Sequence, residues 1–274
     1  MSTKRIHIVQ IDAFTSQPFG GNPAAVVLDA HGISDAQMQA IAREMNLSQT
    51  AFLNGNRLRW FTPGGEVTFC GHATVATGHA LFEAGLFNAP RLQFETLGGK
   101  LGLARTGDVF WLEPEPRTLE SFTGPMEEIL EAIGLTRSDV GDWGGPALTQ
   151  ERDLLLPCKG LDALRRSQTG PPLAVVTKQR NLRGLALISR ETIEPGSRTH
   201  SRFYAPGLGI PEDPVTGSMH ASLAVYMHKL GLAPEQFIAE QGDIMGRPGR
   251  LQIETAGPRV GGRAVTVMAG ELVL

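Results

Sequence analysis

Residues 66–71, EVTFCG, and residues 212–217, EDPVTG, are the two stretches whose likeness decides the fold. In each, a Glu stands five residues before a Gly. In each, an aromatic-x-Pro element lies upstream (Phe61-Thr-Pro63 and Tyr204-Ala-Pro206), and a run of small residues follows. The spacing predicts a buried helix over 73–82 after the first stretch and over 219–227 after the second. A motif that occurs once in each half of a 274-residue chain points to two related halves.

Working outward, residues 6–12 (IHIVQID) read as a strand, 15–23 as a loop rich in Gly and Pro, and 24–28 as a returning strand. Ser34 followed by Gln37 is a capping box, and Met38, Ile41, Ala42 and Met45 recur at helical spacing. That helix is expected to end near Asn46, with a strand at 50–53 and Gln49 in the short connection between them. Further strands are expected at 57–62, 92–95 and 109–112. Alternating Glu113-Pro-Glu-Pro116 reads as a linker, since proline excludes both helix and ladder bonding. The expected domains are therefore 1–117 and 118–263, with a last strand at 264–274 returning to the first. Within the second, 125–133 reads as a helix, and 173–177 and 184–188 as strands.

Composition narrows the function. With 41% hydrophobic and 19% charged residues and a net charge of -3, the chain has no basic field for nucleic acid. No stretch approaches the roughly 20 apolar residues that span a bilayer. Residues 1–11 lack a signal peptide's apolar core, and two cysteines, Cys70 and Cys158, build no disulfide framework. A cytoplasmic protein without membrane or nucleic-acid partners is expected.

Gly71 and Gly217 each open a helix, where the first N–H groups have no partner within the helix. Either glycine alone reads better as an aid to tight packing, but the repeated pair favours a site for a carboxylate. His72 follows Gly71, where the helix dipole disfavours imidazolium and leaves a neutral ring able to exchange protons. Cys70, in the cap region, is a candidate proton carrier or a small buried hydrophobe. Asp213 is a catalytic carboxylate or a charge favouring its helix. Ser218 is a substrate donor or a plain N-terminal cap. His79 lies on the same helix as His72, yet no Cys, Asp or Glu completes a metal set. Gly98-Gly99 and Gly261-Gly262 read as loops between short strands, with neither a Rossmann nor a phosphate-loop signature, and the lack of a Gly-x-Ser-x-Gly elbow disfavours a serine hydrolase.

Five ordered segments together resemble the PhzF family, named for the phenazine-biosynthesis isomerase: 11–23 (IDAFTSQPFGGNP), 41–48 (IAREMNLS), 69–76 (FCGHATVA), 212–218 (EDPVTGS) and 241–248 (QGDIMGRP). The resemblance runs nearly end to end and is weakest over 118–200. It implies an α+β fold of two pseudo-symmetric diaminopimelate-epimerase-like domains, each a curved sheet around a central helix, with the active site between them. It also implies cofactor-free chemistry on a small carboxylated substrate and commonly a homodimer. By match, His72, Asp213 and Ser218 bind substrate and assist proton movement, with Gly71 alongside. The family's proton-shuttling glutamate follows Asn-Leu-Ser; here that position is Gln49, in Asn46-Leu47-Ser48-Gln49-Thr50. An amide keeps the shape and hydrogen-bonding reach of a carboxylate but cannot take and return a proton.

Two classes of function follow from that departure. One is an isomerase in which Gln49 positions substrate and Asp213, His72 or Cys70 moves the proton. Its variant is a one-base dehydratase or epimerase, with Cys70 and Thr216 at the places of the related epimerases' paired cysteines. The other is a non-catalytic protein that only binds small acids.

Overall fold

The computed structural model describes residues 4–113 and 117–274, so the prolines of the expected linker, Pro114 and Pro116, lie outside the described residues. The chain divides into two compact units, one of Met1–Pro114 with Gly261–Leu274 and one of Glu115–Val260.

Unit 1 contains β1 (Arg5–Ala13), β2 (Asn22–Val27), α1 (Asp35–Met45), β3 (Gln49–Asn54), β4 (Arg57–Phe61), β5 (Glu66–Val67), α2 (Gly71–Glu83), β6 (Arg91–Thr96), β7 (Gly99–Thr106) and β8 (Val109–Glu113). The last strand of the chain, β18 (Ala264–Val273), pairs with β1 along its whole length. Ser34 caps α1 as its residue types require: its side chain accepts from Gln37 N, and the Gln37 side chain accepts from Ser34 N. Asn46 ends the helix in the left-handed conformation. Met38, Ile41 and Ala42 turn into a core with Ile6, Ile8, Val27 and Phe52. By contrast α2 is buried nearly all round, as its small and apolar residues allow, and it touches β1, β2, β3, β7, β8 and β18. The sheet thus curves around it.

Unit 2 contains β9 (Leu119–Ser121), α3 (Glu127–Ala132), β10 (Ala147–Thr149), β11 (Asp153–Pro157), α4 (Leu161–Arg166), α5 (Pro171–Gln179), β12 (Gly184–Ser189), β13 (Ser197–Ala205), β14 (Ile210–Asp213), α6 (Gly217–Lys229), β15 (Gln236–Gln241) and β16 (Gly249–Glu254). Strand β17 (Arg259–Gly262) carries the chain out of it. Helix α6 has 13 residues, like α2, and is equally buried. Its core is Leu-rich, built from Leu130, Leu154, Leu156, Leu164, Leu185 and Leu187 around Tyr204.

The ladders of the units repeat one pattern. In unit 1, β18–β1 and β1–β2 are antiparallel, β2–β3 parallel, β3–β4 antiparallel, β4–β6 parallel and β6–β7 antiparallel. In unit 2, β9–β10 and β10–β11 are antiparallel, β11–β12 parallel, β12–β13 antiparallel, β13–β15 parallel and β15–β16 antiparallel. The short strands β5 and β14 pair with β4 and β13, and each leads into its unit's buried helix.

Four local expectations are corrected. Residues 173–177, expected as a strand, are the middle of helix α5. Gly170 precedes it, Pro171 and Pro172 occupy its first turn, and Leu173 and Thr177, one turn apart, are its buried residues. That packing outweighs the strand propensity of Val175-Val176-Thr177. Pro125 precedes α3 rather than lying in its first turn. Gly98 sits in the turn of the β6–β7 hairpin, a loop between strands as expected, but Gly261-Gly262 lies in β17 rather than in a loop. Gln49 is the first residue of β3, paired with Ala24 of β2, rather than part of the preceding connection. Among the described residues no helix is long and apolar enough to cross a membrane.

Candidate functional site

In unit 1, three side chains gather at the start of α2. Cys70 is its N-cap, with extended backbone and no capping bond from its thiol. His72 is buried; its Nδ1 lies 3.6 Å from Cys70 Sγ and its Nε2 3.2 Å from Ser48 Oγ. Ser48 Oγ also faces Asn22 Oδ1 at 3.2 Å and the Pro23 carbonyl at 3.4 Å, the residues that close the 11–23 motif. Burial pushes the His72 pKa down to about 3, so the ring is neutral at physiological pH. Burial is the cause, in a first helical turn where the dipole acts in the same direction. A neutral imidazole placed between a hydroxyl and a thiol can pass a proton from one side to the other by exchanging tautomers, without holding charge. Gln49 follows Ser48 directly and is itself buried.

In unit 2 the start of α6 is polar and charged. Thr216, its N-cap, donates from Oγ1 to Asp213 Oδ2 at 2.6 Å. The Gln241 amide locks this arrangement from below. Its Nε2 donates to Asp213 O at 2.7 Å and Thr216 Oγ1 at 3.1 Å, and its Oε1 accepts from Thr216 N at 3.0 Å. Gln241 is held in turn by Gly242, whose φ of +92° is left-handed, and where a Cβ would sit 2.2 Å from Arg247 O. Ser218 is not a cap. It lies inside α6 and its Oγ accepts from Arg183 Nη2 at 3.1 Å. His220 Nδ1 donates to the Thr216 carbonyl at 3.0 Å, and burial depresses its pKa to about 4.

The two Glu residues of the repeated motif are braces. Arg59 makes a paired contact with Glu66, Nε and Nη2 each at 2.7 Å from an oxygen, and stands 5.0 Å from the Phe61 ring. Arg202 does the same with Glu212, at 2.8 and 2.7 Å, and stands 5.1 Å from the Tyr204 ring. The motif is therefore longer than the sequence reading took it to be: Arg59-x-Phe61-x-Pro63 and Arg202-x-Tyr204-x-Pro206 match two residues further upstream. Such bidentate pairs pin the short strand that feeds each helix.

The structure thus brings Cys70 and His72 together in unit 1, with Gly71 between them and Gln49 beside Ser48. It brings Asp213, Thr216, Gly217 and Ser218 together in unit 2. Sequence reasoning did not single out Ser48, Asn22, Gln241, Arg183 or Asp153. The first three lie in the quoted segments, where they were legible; Asp153 and Arg183 lie in the region of weakest resemblance. A further buried cluster, His200, Glu240 and Asp243, is an ionic brace whose cation is Arg250. Asp243 takes Arg250 Nη1 and Nη2 at 2.9 and 2.7 Å, and Glu240 takes His200 Nδ1 at 2.9 Å and the Ile193 and Glu194 N–H groups at 2.8 Å.

The family model described as phenazine biosynthesis-like protein, PhzC-PhzF, matches residues 11–270. An uncharacterized isomerase of Pseudomonas aeruginosa is 38% identical, over 97% of this chain and 98% of that protein. The crystal structure of a Bacillus anthracis phenazine biosynthesis protein of the PhzF family superposes with a TM-score of 0.87 at 29% identity, over 99% of this chain and 100% of that one. A probable proline racemase of Agrobacterium radiobacter shares the fold alone, with a TM-score of 0.63 at 12% identity over 98% and 93%. The chain belongs to the PhzC-PhzF family of phenazine biosynthesis-like isomerases, with the mixed α and β epimerase-like fold.

Proposed function

We propose that the chain handles a small carboxylated metabolite by cofactor-free proton transfer, and that Gln49 occupies the position from which a glutamate would move a carbon-bound proton. The observation that carries this reading is the buried, neutral His72 set between Ser48 and Cys70, one residue from Gln49. A neutral ring hydrogen-bonds to substrate and relays protons without the cost of a buried charge. Within unit 2, Asp213, held by Thr216 and Gln241, and Ser218, held by Arg183, are assigned to the polar groups of a small acid. With an amide at position 49 the slow step lacks its base, and the parent is expected to bind substrate and turn it over poorly.

The test is NMR of trans-2,3-dihydro-3-hydroxyanthranilate in D2O with the parent and Gln49→Glu side by side. A silent parent beside an active Gln49→Glu supports the proposal. Deuterium uptake by the parent moves the base elsewhere, and silence from both removes this substrate class.

One observation favours a second reading. Cys70 Sγ lies within contact of His72 Nδ1, the arrangement of a thiol beside a nitrogen base. A one-base dehydratase or epimerase would use that pair. Cys70→Ser would then abolish a turnover present in the parent.

A further inference from the structure

Arg183 is a guanidinium with one edge tied and one edge open. Asp153 is completely buried on β11, in register with Gly184 of β12. Both its oxygens take Arg183, Oδ1 from Nε at 2.7 Å and Oδ2 from Nη2. The same Nη2 donates to Ser218 Oγ. Nη1 makes no hydrogen bond among the described residues, and the Arg183 side chain remains 29% exposed. Beneath it the Phe203 ring lies 5.7 Å from the guanidinium carbon. Gly184 makes room for that ring, since a Cβ there would stand 2.4 Å from Phe203 Cζ. Register places Phe203 opposite Asp213, so the platform adjoins the candidate carboxylate.

The polarity of this chain has a chemical consequence. An arginine only donates, so Ser218 Oγ must accept from it, and the Ser218 hydroxyl hydrogen is left to point at another acceptor. The bidentate tie to Asp153 prevents the guanidinium from rotating its free edge away. Arg183 keeps its charge throughout: burial works against ionisation, and the hydrogen bonds and charge of Asp153, with the charge of Asp213, outweigh it and hold the pKa above the usual value. Two donors are therefore held side by side, the free Nη1 and the hydroxyl of Ser218, whose Oγ is bonded to the same guanidinium.

We propose that Arg183 is the residue that selects an acid group on the substrate, held in place by Asp153 and acting both directly through Nη1 and by fixing Ser218 as a donor. This rests on the reading of a small carboxylated substrate given above. A salt bridge serving only to tie β11 to β12 would affect stability and leave ligand choice unchanged.

The experiment compares binding of anthranilate and anthranilamide, which differ only in acid against amide, by calorimetry on the full chain. The parent is expected to favour the acid by about ten- to a hundred-fold, the range of a charge-assisted hydrogen bond. Arg183→Gln is expected to erase the preference, and Arg183→Lys to restore part of it. Since Arg183→Gln strands a buried Asp153 charge, the double variant Asp153→Asn/Arg183→Gln, which removes both charges, is measured beside it. An acid preference that survives in the double variant, or is absent from the parent, overturns the proposal. Silence of Gln49→Glu toward the dihydroanthranilate, with an acid preference that still depends on Arg183, sinks the reaction and upholds this inference.

Discussion

Helices α2 and α6 are the same device with different contents. Each has 13 residues, is buried nearly all round, follows a short strand braced by an Arg–Glu pair, and opens on a glycine. At α2 the groups are Cys70, His72, Ser48 and Gln49, with no carboxylate or guanidinium among them. At α6 they are Asp213, Thr216, Ser218 and Arg183, two of them charged, with Asp153 behind. The comparison teaches that one backbone framework can present different side chains: neutral hydrogen-bonding groups at the start of α2, a carboxylate and a guanidinium at the start of α6. It also gives the proposal for position 49 its physical content, because a glutamate there would place a carboxylate beside Ser48 and the buried His72.

The strongest way to break the comparison is to charge that side. Gln49→Glu is expected to raise deuterium exchange into the dihydroanthranilate by about a hundred- to ten-thousand-fold over the parent. Equal rates would mean that position 49 is not where the base acts. In that variant, Asp213→Asn is expected to lower the rate again by at least a hundred-fold, while Cys70→Ser leaves it within several-fold. Loss of activity on Cys70→Ser would instead assign the work to the thiol.

The braces can be separated by stability. Glu212→Gln leaves the mostly buried Arg202 with uncharged partners, the Leu164 and Ser167 carbonyls, Ser167 Oγ and the Tyr204 ring, and is expected to cost about 3–5 kcal/mol in urea unfolding. Glu66→Gln leaves Arg59 its bond to Asp35 at 2.6 Å, and is expected to cost about 1–2 kcal/mol. Equal costs would show that the two braces are interchangeable.

The two helices also share a pH dependence through one buried histidine each. His72 and His220 titrate at about 3 and about 4 in the folded chain, against 6.5 when free. Between those values the unfolded chain binds protons that the native chain does not, so stability rises with pH through that window. It is full above about pH 6.5 and is lost as pH falls toward 4 and 3. Melting temperatures of His72→Gln and His220→Gln should fall less steeply than the parent's between pH 6.5 and 4.5. An unchanged slope in both would mean that these rings are charged in the native state.

Much of this is legible in the sequence. Ser34 and Gln37 announced α1 because capping is a local exchange of two hydrogen bonds. The repeated Glu-to-Gly spacing announced α2 and α6 because both lie within a few residues of chain. The candidate residues Cys70, His72, Asp213, Thr216 and Ser218 could be picked out because each adjoins a helix start. Residues 173–177 defeated the same approach: a short apolar run suits a strand or a helix, and only its packing through Leu173 and Thr177 decides.

By itself the sequence determined the repeat, the helix starts, the family and the amide at position 49, all of which are properties of residue identity and short spacing. Only the tertiary structure decided that Ser48 meets His72 across 24 residues, that Asp153 and Gln241 hold Arg183 and Asp213 in place, and that His72 is neutral through burial. Those facts depend on strand register and on the exclusion of water from a packed core, and neither is a local property of the chain.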